Sequence, residues 1–187
     1  MTTAEKYFEY LRGRSRLGRL YRRHWLYPRL CRYLDGKTLD IGCGIGDFLN
    51  HRTGTVGVDI NPAAVEWCRR RGLNAYQMST NVLPFHDVSF DSAILDNVLE
   101  HLTEPAELLN EIGRVLRPRS SLVVGVPGQC GYATDSDHKV FYDEVTLIST
   151  LAAASFRLRF IFYMPFKLAW LDARMRQYCL YGVFERD

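Results

Sequence analysis

The 187-residue chain is long enough for one compact domain and too short for a cofactor domain joined to a separate substrate domain. Apolar residues at 47% and charged residues at 24% exclude a disordered or fibrous chain; no apolar run nears the roughly 20 residues that cross a bilayer, and no signal-type leader opens the chain, so membrane contact would be peripheral. The net charge of +3 is uneven: residues 6–37 hold ten basic side chains, among them Arg12, Arg14, Arg16, Arg19, Arg22 and Arg23, against Glu9 and Asp35, a segment of +8 on a remainder of −5 that favours an anionic partner.

In chain order, residues 6–34 place Leu17, Leu20, Tyr21 and His24 at helical spacing and read as an amphipathic helical lead-in, with Pro28 separating two pieces. Residues 38–41 read as a strand entering a glycine-rich turn, followed by a short helix through Phe48 and Leu49. A second strand covers 55–60. Asn61 then caps a helix that has Pro62 in its first turn and ends at Gly72. Further strands are predicted at 74–78, 90–95 and 121–126, with a helix at 104–116 between the last two. The remaining segments read as a helix at 143–154, a strand at 157–166, a helix at 167–177 and a strand at 178–185. The aromatic residues Phe160, Phe162, Tyr163, Phe166 and Trp170 are expected to pack under that last helix, with a membrane-touching surface as the alternative. Strands alternating with helices predict a doubly wound α/β fold on a mostly parallel sheet. A single domain over 1–187 is expected, with a lead-in or lid at 1–36, a core at 37–127 and a substrate-side portion at 128–187.

The stretch Asp40-Ile41-Gly42-Cys43-Gly44-Ile45-Gly46-Asp47 ends a strand and opens a helix, where open parallel sheets bind nucleotides. Three glycines at alternate positions favour a cofactor turn over an ordinary tight turn, because side chains would block a ligand's approach to the backbone. A dinucleotide fingerprint would carry its third glycine one residue later, where Asp47 stands, so an NAD-dependent oxidoreductase is the weaker reading. Carboxylates at Asp40 and Asp47 repel a pyrophosphate and suit a ligand with ammonium and sulfonium groups. Asp59, ending the second strand, is placed to accept hydrogen bonds from ribose hydroxyls, with helix capping as its other role.

With Leu83-Pro84-Phe85-His86-Asp87-Val88-Ser89-Phe90-Asp91, Asn97-Val98-Leu99-Glu100-His101 and residues 111–118, these segments closely resemble the class I S-adenosylmethionine-dependent methyltransferases. The resemblance spans most of residues 38–127. It implies a Rossmann-like seven-stranded sheet of order 3-2-1-4-5-7-6 with an N-terminal helical extension. It also implies S-adenosylmethionine as cofactor, S-adenosylhomocysteine as product, and a methionine moiety over Asp40, Gly42, Cys43, Gly44 and Gly46 with its ribose on Asp59. Adenine would lie near Ile60 and the loop of Ser79, Thr80, Asn81, Val82 and Leu83. Many relatives carry an aspartate where Ser79 stands, so that contact falls to Ser79, Thr80 or a backbone group. Asp96, Asn97 and His101 would border the methyl group and the acceptor.

Transfer from a sulfonium demands alignment first and a base only for some acceptors. The candidates are His101, His138, Asp96 and Glu100, although His101 could equally cap or pack the following helix and His138 could equally make a structural hydrogen bond. The loop at 128–142 is expected to enclose the acceptor, together with the basic lead-in and the last helix. The expected acceptor is a small molecule, a saccharide precursor or a lipid-linked molecule, methylated on O or N; nucleic acid is disfavoured. A non-catalytic donor-binding partner protein is the alternative. Five scattered cysteines without a C-x-x-C pair fit reduced thiols in a cytoplasmic protein, monomer or homodimer, and no metal site is expected.

Overall fold

The computed structural model describes residues 8, 9, 13 and 15–187; the part of the predicted lead-in that holds Lys6, Arg12 and Arg14 lies outside the described residues. Helix α1 (Arg16–Tyr21) starts at Ser15, whose hydroxyl accepts the Gly18 N–H at 3.1 Å. A π-helical turn (Arg22–Leu26) leads without a break into α2 (Tyr27–Cys31). The expected separation at Pro28 is therefore corrected. Tyr27 N–H reaches back to the Arg22 carbonyl, and this wider register precedes a proline that has no N–H to offer.

Seven strands follow: β1 (Thr38–Ile41), β2 (Val56–Asp59), β3 (Ala75–Gln77), β4 (Phe90–Asp96), β5 (Leu116–Pro127), β6 (Phe156–Met164) and β7 (Cys179–Arg186). They form one sheet of order β3-β2-β1-β4-β5-β7-β6, as the family resemblance implies. Strands β1 to β5 are parallel, and β7 runs antiparallel to both β5 and β6. Strand β5 begins earlier than predicted, because Leu116 pairs with Phe90 before an irregular stretch returns Ser121 to register opposite Ser92.

Helices α3 (Asp47–His51), α4 (Pro62–Arg70), α5 (Ala106–Val115), α6 (Gln129–Ala133) and α7 (Glu144–Ala153) connect the strands. Period-two alternation sends Ala93, Leu95, Leu122 and Val124 into a core that includes α5 and α7, while Ile94 and Val123 join the lead-in residues Leu26, Tyr27, Leu30 and Leu34 on the other face. The lead-in thus covers one side of the sheet at β4, β5 and β7.

The helix expected at 167–177 shrinks to α8 (Ala169–Asp172). Four residues gain little from helix formation alone. Asp172 instead accepts the Gln129 N–H at 2.7 Å, tying this segment to the start of α6. With that helix cut to four residues, Phe160, Phe166 and Trp170 are exposed at 37%, 55% and 58%, which corrects their expected burial; Phe162 and Tyr163 are partly buried, Phe162 against Tyr33 and Tyr181 rather than under the helix. Among the described residues no helix is long and apolar enough to cross a membrane.

Candidate active site

The order of the sheet reverses between β1 and β4, and a cavity of about 420 Å³ opens at the carboxyl ends of the parallel strands there. Its floor is the turn after β1. Gly42, Gly44 and Gly46 all have positive φ. At Gly42 (φ 75°) an added Cβ would strike Val98, itself a cavity wall. At Gly46 (φ 78°), which opens α3, it would meet Leu73 Cδ1 at 2.6 Å and Cys68 Sγ at 2.8 Å. The expected reason for glycine, clearance for a ligand, is thus corrected at Gly46: a left-handed backbone and close packing require it.

Asp59 fastens this turn to the next one. Its Oδ2 accepts the Gly44 N–H at 2.8 Å and its Oδ1 the Asn61 N–H at 2.8 Å, while Asn61 Oδ1 caps α4 by accepting the Ala63 N–H at 3.0 Å. Each Asp59 oxygen keeps a further lone pair, and the side chain lines the cavity.

Asp40, Asp47, Asp59 and Asp96 all line the same space. Asp40 is 5% exposed, and among the described residues no basic side chain pairs with it. Burial, reinforced by Asp96 and Asp59, pushes its carboxyl well above the usual range. The chemistry of this donor set fits a ligand that brings positive charge.

Three side chains hold Asp96. It accepts from the Tyr181 hydroxyl at 2.7 Å and from Asn97 Nδ2 at 2.9 Å, and it pairs with Arg22 at 3.5 Å. Asn97 has left-handed backbone geometry (φ 56°), which its short polar side chain tolerates. Arg22 and Tyr27 reach the cavity from the lead-in. In the sequence Arg22, Tyr27 and Tyr181 carry no mark of site residues beyond the place of Arg22 in the basic run. The other described basic residues of the lead-in stay outside; His24, Arg29 and Arg32 border a separate groove with Trp25, Phe162 and Phe166.

Ile60, 60% exposed, stands at the lip with Met78 and Thr80. The structure does not bring Ser79, Asn81, Val82 or Leu83 to the lining. Leu83 is in the core, and Asn81 Nδ2 donates to Glu107 at 2.7 Å. On the opposite side His101 and, from the loop after β5, Asp137 line the cavity. His138 does not line it. His138 lies behind His101, with ring centroids 4.7 Å apart, and beside the fully buried Glu100, whose carboxyl burial pushes up to about 8. Burial, and next to it His138, lowers the pKa of His101.

Residues 39–124 match the family model described as a methyltransferase domain. A structure of an S-adenosylmethionine-dependent methyltransferase from Aquifex aeolicus superposes over 100% of both chains with a TM-score of 0.73 at 17% identity. Residues 39–124 are thus similar to a methyltransferase domain, and the fold is that of the S-adenosylmethionine-dependent methyltransferase from Aquifex aeolicus. The chain is 36% identical over 97 residues to a fatty-acid O-methyltransferase of Mycolicibacterium smegmatis, covering 46% of this chain and 35% of that protein. To an uncharacterised 37.1 kDa protein encoded in a Streptomyces fradiae transposon it is 39% identical over 101 residues, covering 48% of this chain and 29% of that one. The chain spans about half the length, or less, of the curated relatives it matches first. S-adenosylmethionine is the cofactor on which that Aquifex aeolicus protein depends.

Proposed function

We propose that this methyltransferase domain transfers a methyl group from S-adenosylmethionine to an oxygen or nitrogen atom of a small, lipid-linked or saccharide-precursor acceptor. The observation that carries the reading is Asp40, a buried carboxyl among three others, facing a cavity and lacking a basic partner among the described residues. A bound donor supplies an electrophilic methyl group on a positively charged sulfur.

Asp40 would pair with the ammonium group, while the turn at Gly42 lets the backbone approach the methionine moiety. Asp59, with one lone pair on each oxygen already engaged, is oriented to accept the ribose hydroxyls. Ile60 and Met78 offer apolar faces to the adenine, and Thr80 a hydrogen-bonding edge. Asp96 acts as a positioning residue through Arg22 and Tyr181, and Asn97 stands beside it. His101 is the side chain placed to meet the acceptor, and His138 reaches it only by way of His101.

A lipid-linked acceptor is favoured by the outer surface. Leu17, Leu20 and Trp25 are exposed at 78%, 53% and 51% on a lead-in that also carries Arg16, Arg19 and Arg23, and Phe166 packs edge-on to Trp25 at 5.8 Å. Apolar and basic side chains so combined suit the surface of an anionic membrane. The relative named as a fatty-acid O-methyltransferase agrees with that class.

The test is calorimetric titration with S-adenosylmethionine, S-adenosylhomocysteine and NAD. Binding of the first two and not of NAD, weakened in Asp59→Asn, supports the donor site; silence toward both at millimolar concentration sinks it. Transfer of a labelled methyl group to lipid or saccharide extracts then separates an enzyme from a non-catalytic donor-binding protein.

A further inference from the structure

We propose that Glu100, His101 and His138 form a binding site for a divalent transition-metal ion of the zinc class on the acceptor side of the cavity. Nothing in the spacing of these residues along the chain announces such a site; the fold assembles it. One ligand atom from each lies within 4.8 Å of the other two. Glu100 comes from the 3-10 turn after β4 (Leu99–His101), and His138 from the loop after α6. Lys139 and Val140 join the two segments by donating their N–H groups to the Glu100 backbone carbonyl at 2.7 and 3.1 Å.

The tautomers follow from the backbone. His138 Nδ1 is 2.9 Å from the Tyr132 carbonyl oxygen, and His101 Nδ1 is 3.3 Å from that of Asp137. A carbonyl can only accept, so Nδ1 carries the proton in each ring. His138 Nε2 then turns a lone pair toward Glu100 Oε1 at 3.7 Å. Glu100 is fully buried, and neither of its side-chain oxygens has a hydrogen-bond partner among the described residues. His138 Nε2 and Glu100 Oε1 therefore face each other across a gap that neither side chain closes.

A shared proton does not fit that gap, since 3.7 Å exceeds a hydrogen bond. Two ligands each about 2.1 Å from a tetrahedral ion stand roughly 3.4 Å apart, which the pair reaches with a small adjustment. Two imidazoles and a carboxylate, each ring fixed through its far nitrogen by a carbonyl, are a ligand set with the supporting hydrogen bonds metal sites use. Asp135 Oδ2, 3.9 Å from His138 Nε2, adds negative charge at the edge. His101 opens the site to the cavity, leaving a coordination position for water or acceptor. If the methyltransferase reading holds, an ion there would draw in an acceptor hydroxyl and lower its pKa. That oxygen would release its proton to solvent and bond the methyl carbon as the carbon–sulfur pair passes to sulfur.

The test is titration of the chelator-treated full chain with Co²⁺, a spectroscopic substitute for zinc. Visible d–d absorption saturating at one ion per chain is expected, with affinity falling more than about tenfold in Glu100→Gln and in His138→Gln. Proton spectra of the native Co²⁺ form should show two exchangeable, hyperfine-shifted imidazole N–H signals, a readout that needs no variant to fold. Absence of stoichiometric binding at millimolar Co²⁺, unchanged affinity in both variants, or lack of those two signals overturns the proposal. Donor titration of the same samples separates the two ideas: donor binding without Co²⁺ binding removes the ion site and leaves the methyltransferase reading standing.

Discussion

Asp40 is kept in a state that costs the empty domain stability. Its carboxyl is raised by burial and by its acidic neighbours, so in the folded chain it holds its proton at a pH where the unfolded chain has released it. A group with a raised folded value contributes its full stability below the unfolded pKa and loses it as pH rises through the folded one. Replacing the carboxyl removes that loss. Asp40→Asn is therefore expected to raise the melting temperature of the donor-free protein at pH 8, with less gain at pH 5, while weakening S-adenosylmethionine binding; differential scanning fluorimetry and calorimetry at both pH values check it. Native protein should release protons as it binds donor, because the cationic ligand favours ionised Asp40, and heats measured in buffers of different ionisation enthalpy report their number. A variant that loses both melting temperature and affinity would show Asp40 to be a structural hydrogen-bonding residue instead.

Helix α5 illustrates how an element holds a loop beside the site. Arg114 donates to the Phe85 carbonyl at 2.8 Å and the Leu83 carbonyl at 3.1 Å, and it pairs with Asp87 and Glu111. Glu111 in turn accepts the Leu83 N–H at 3.0 Å. Arg114→Met leaves two carbonyls short of a donor and should cost about 1–3 kcal/mol in urea denaturation. Arg114, by hydrogen bonding, holds the Glu111 carboxyl below its ordinary range, so this stability is present above the unfolded value and lost as pH falls through the folded one. The acid-unfolding midpoint of Arg114→Met should accordingly move to higher pH. The strands around this helix were legible because period-two apolar runs end at turn residues, and α4 because Asn61-Pro62 writes its start. The segment at 167–177 was not legible, since Asp172 is engaged by Gln129, 43 residues away. Likewise the acidic donor cluster could be read from Asp40, Asp47 and Asp59 close together in the chain. The Arg22, Tyr181 and Asp96 contacts, and the meeting of Glu100 with His138, join residues that only the folded sheet makes neighbours.

Over the whole molecule the lead-in is both a core layer and a cavity wall. Leu30 is fully buried and belongs to the apolar cluster that includes Tyr27, Phe48, Ile94 and Tyr181. Tyr27 also packs edge-on to Phe48 at 5.3 Å, and from the same helical run Arg22 reaches Asp96. Loosening the layer should therefore disturb the site at a distance. Leu30→Ala is expected to destabilise the domain by about 2–5 kcal/mol and, at a temperature where it is still folded, to weaken donor binding although Leu30 does not line the cavity. Saturating donor should then recover part of the loss, about 2.7 kcal/mol at a hundredfold excess over the dissociation constant, because binding to the folded state alone draws the unfolding equilibrium back. Thermal unfolding with and without S-adenosylmethionine, beside a donor titration, reads both effects. If Leu30→Ala lowers stability but leaves donor affinity at its native value, the lead-in only covers the sheet, and the placement of Arg22 and Tyr27 at the cavity contributes nothing to holding the donor.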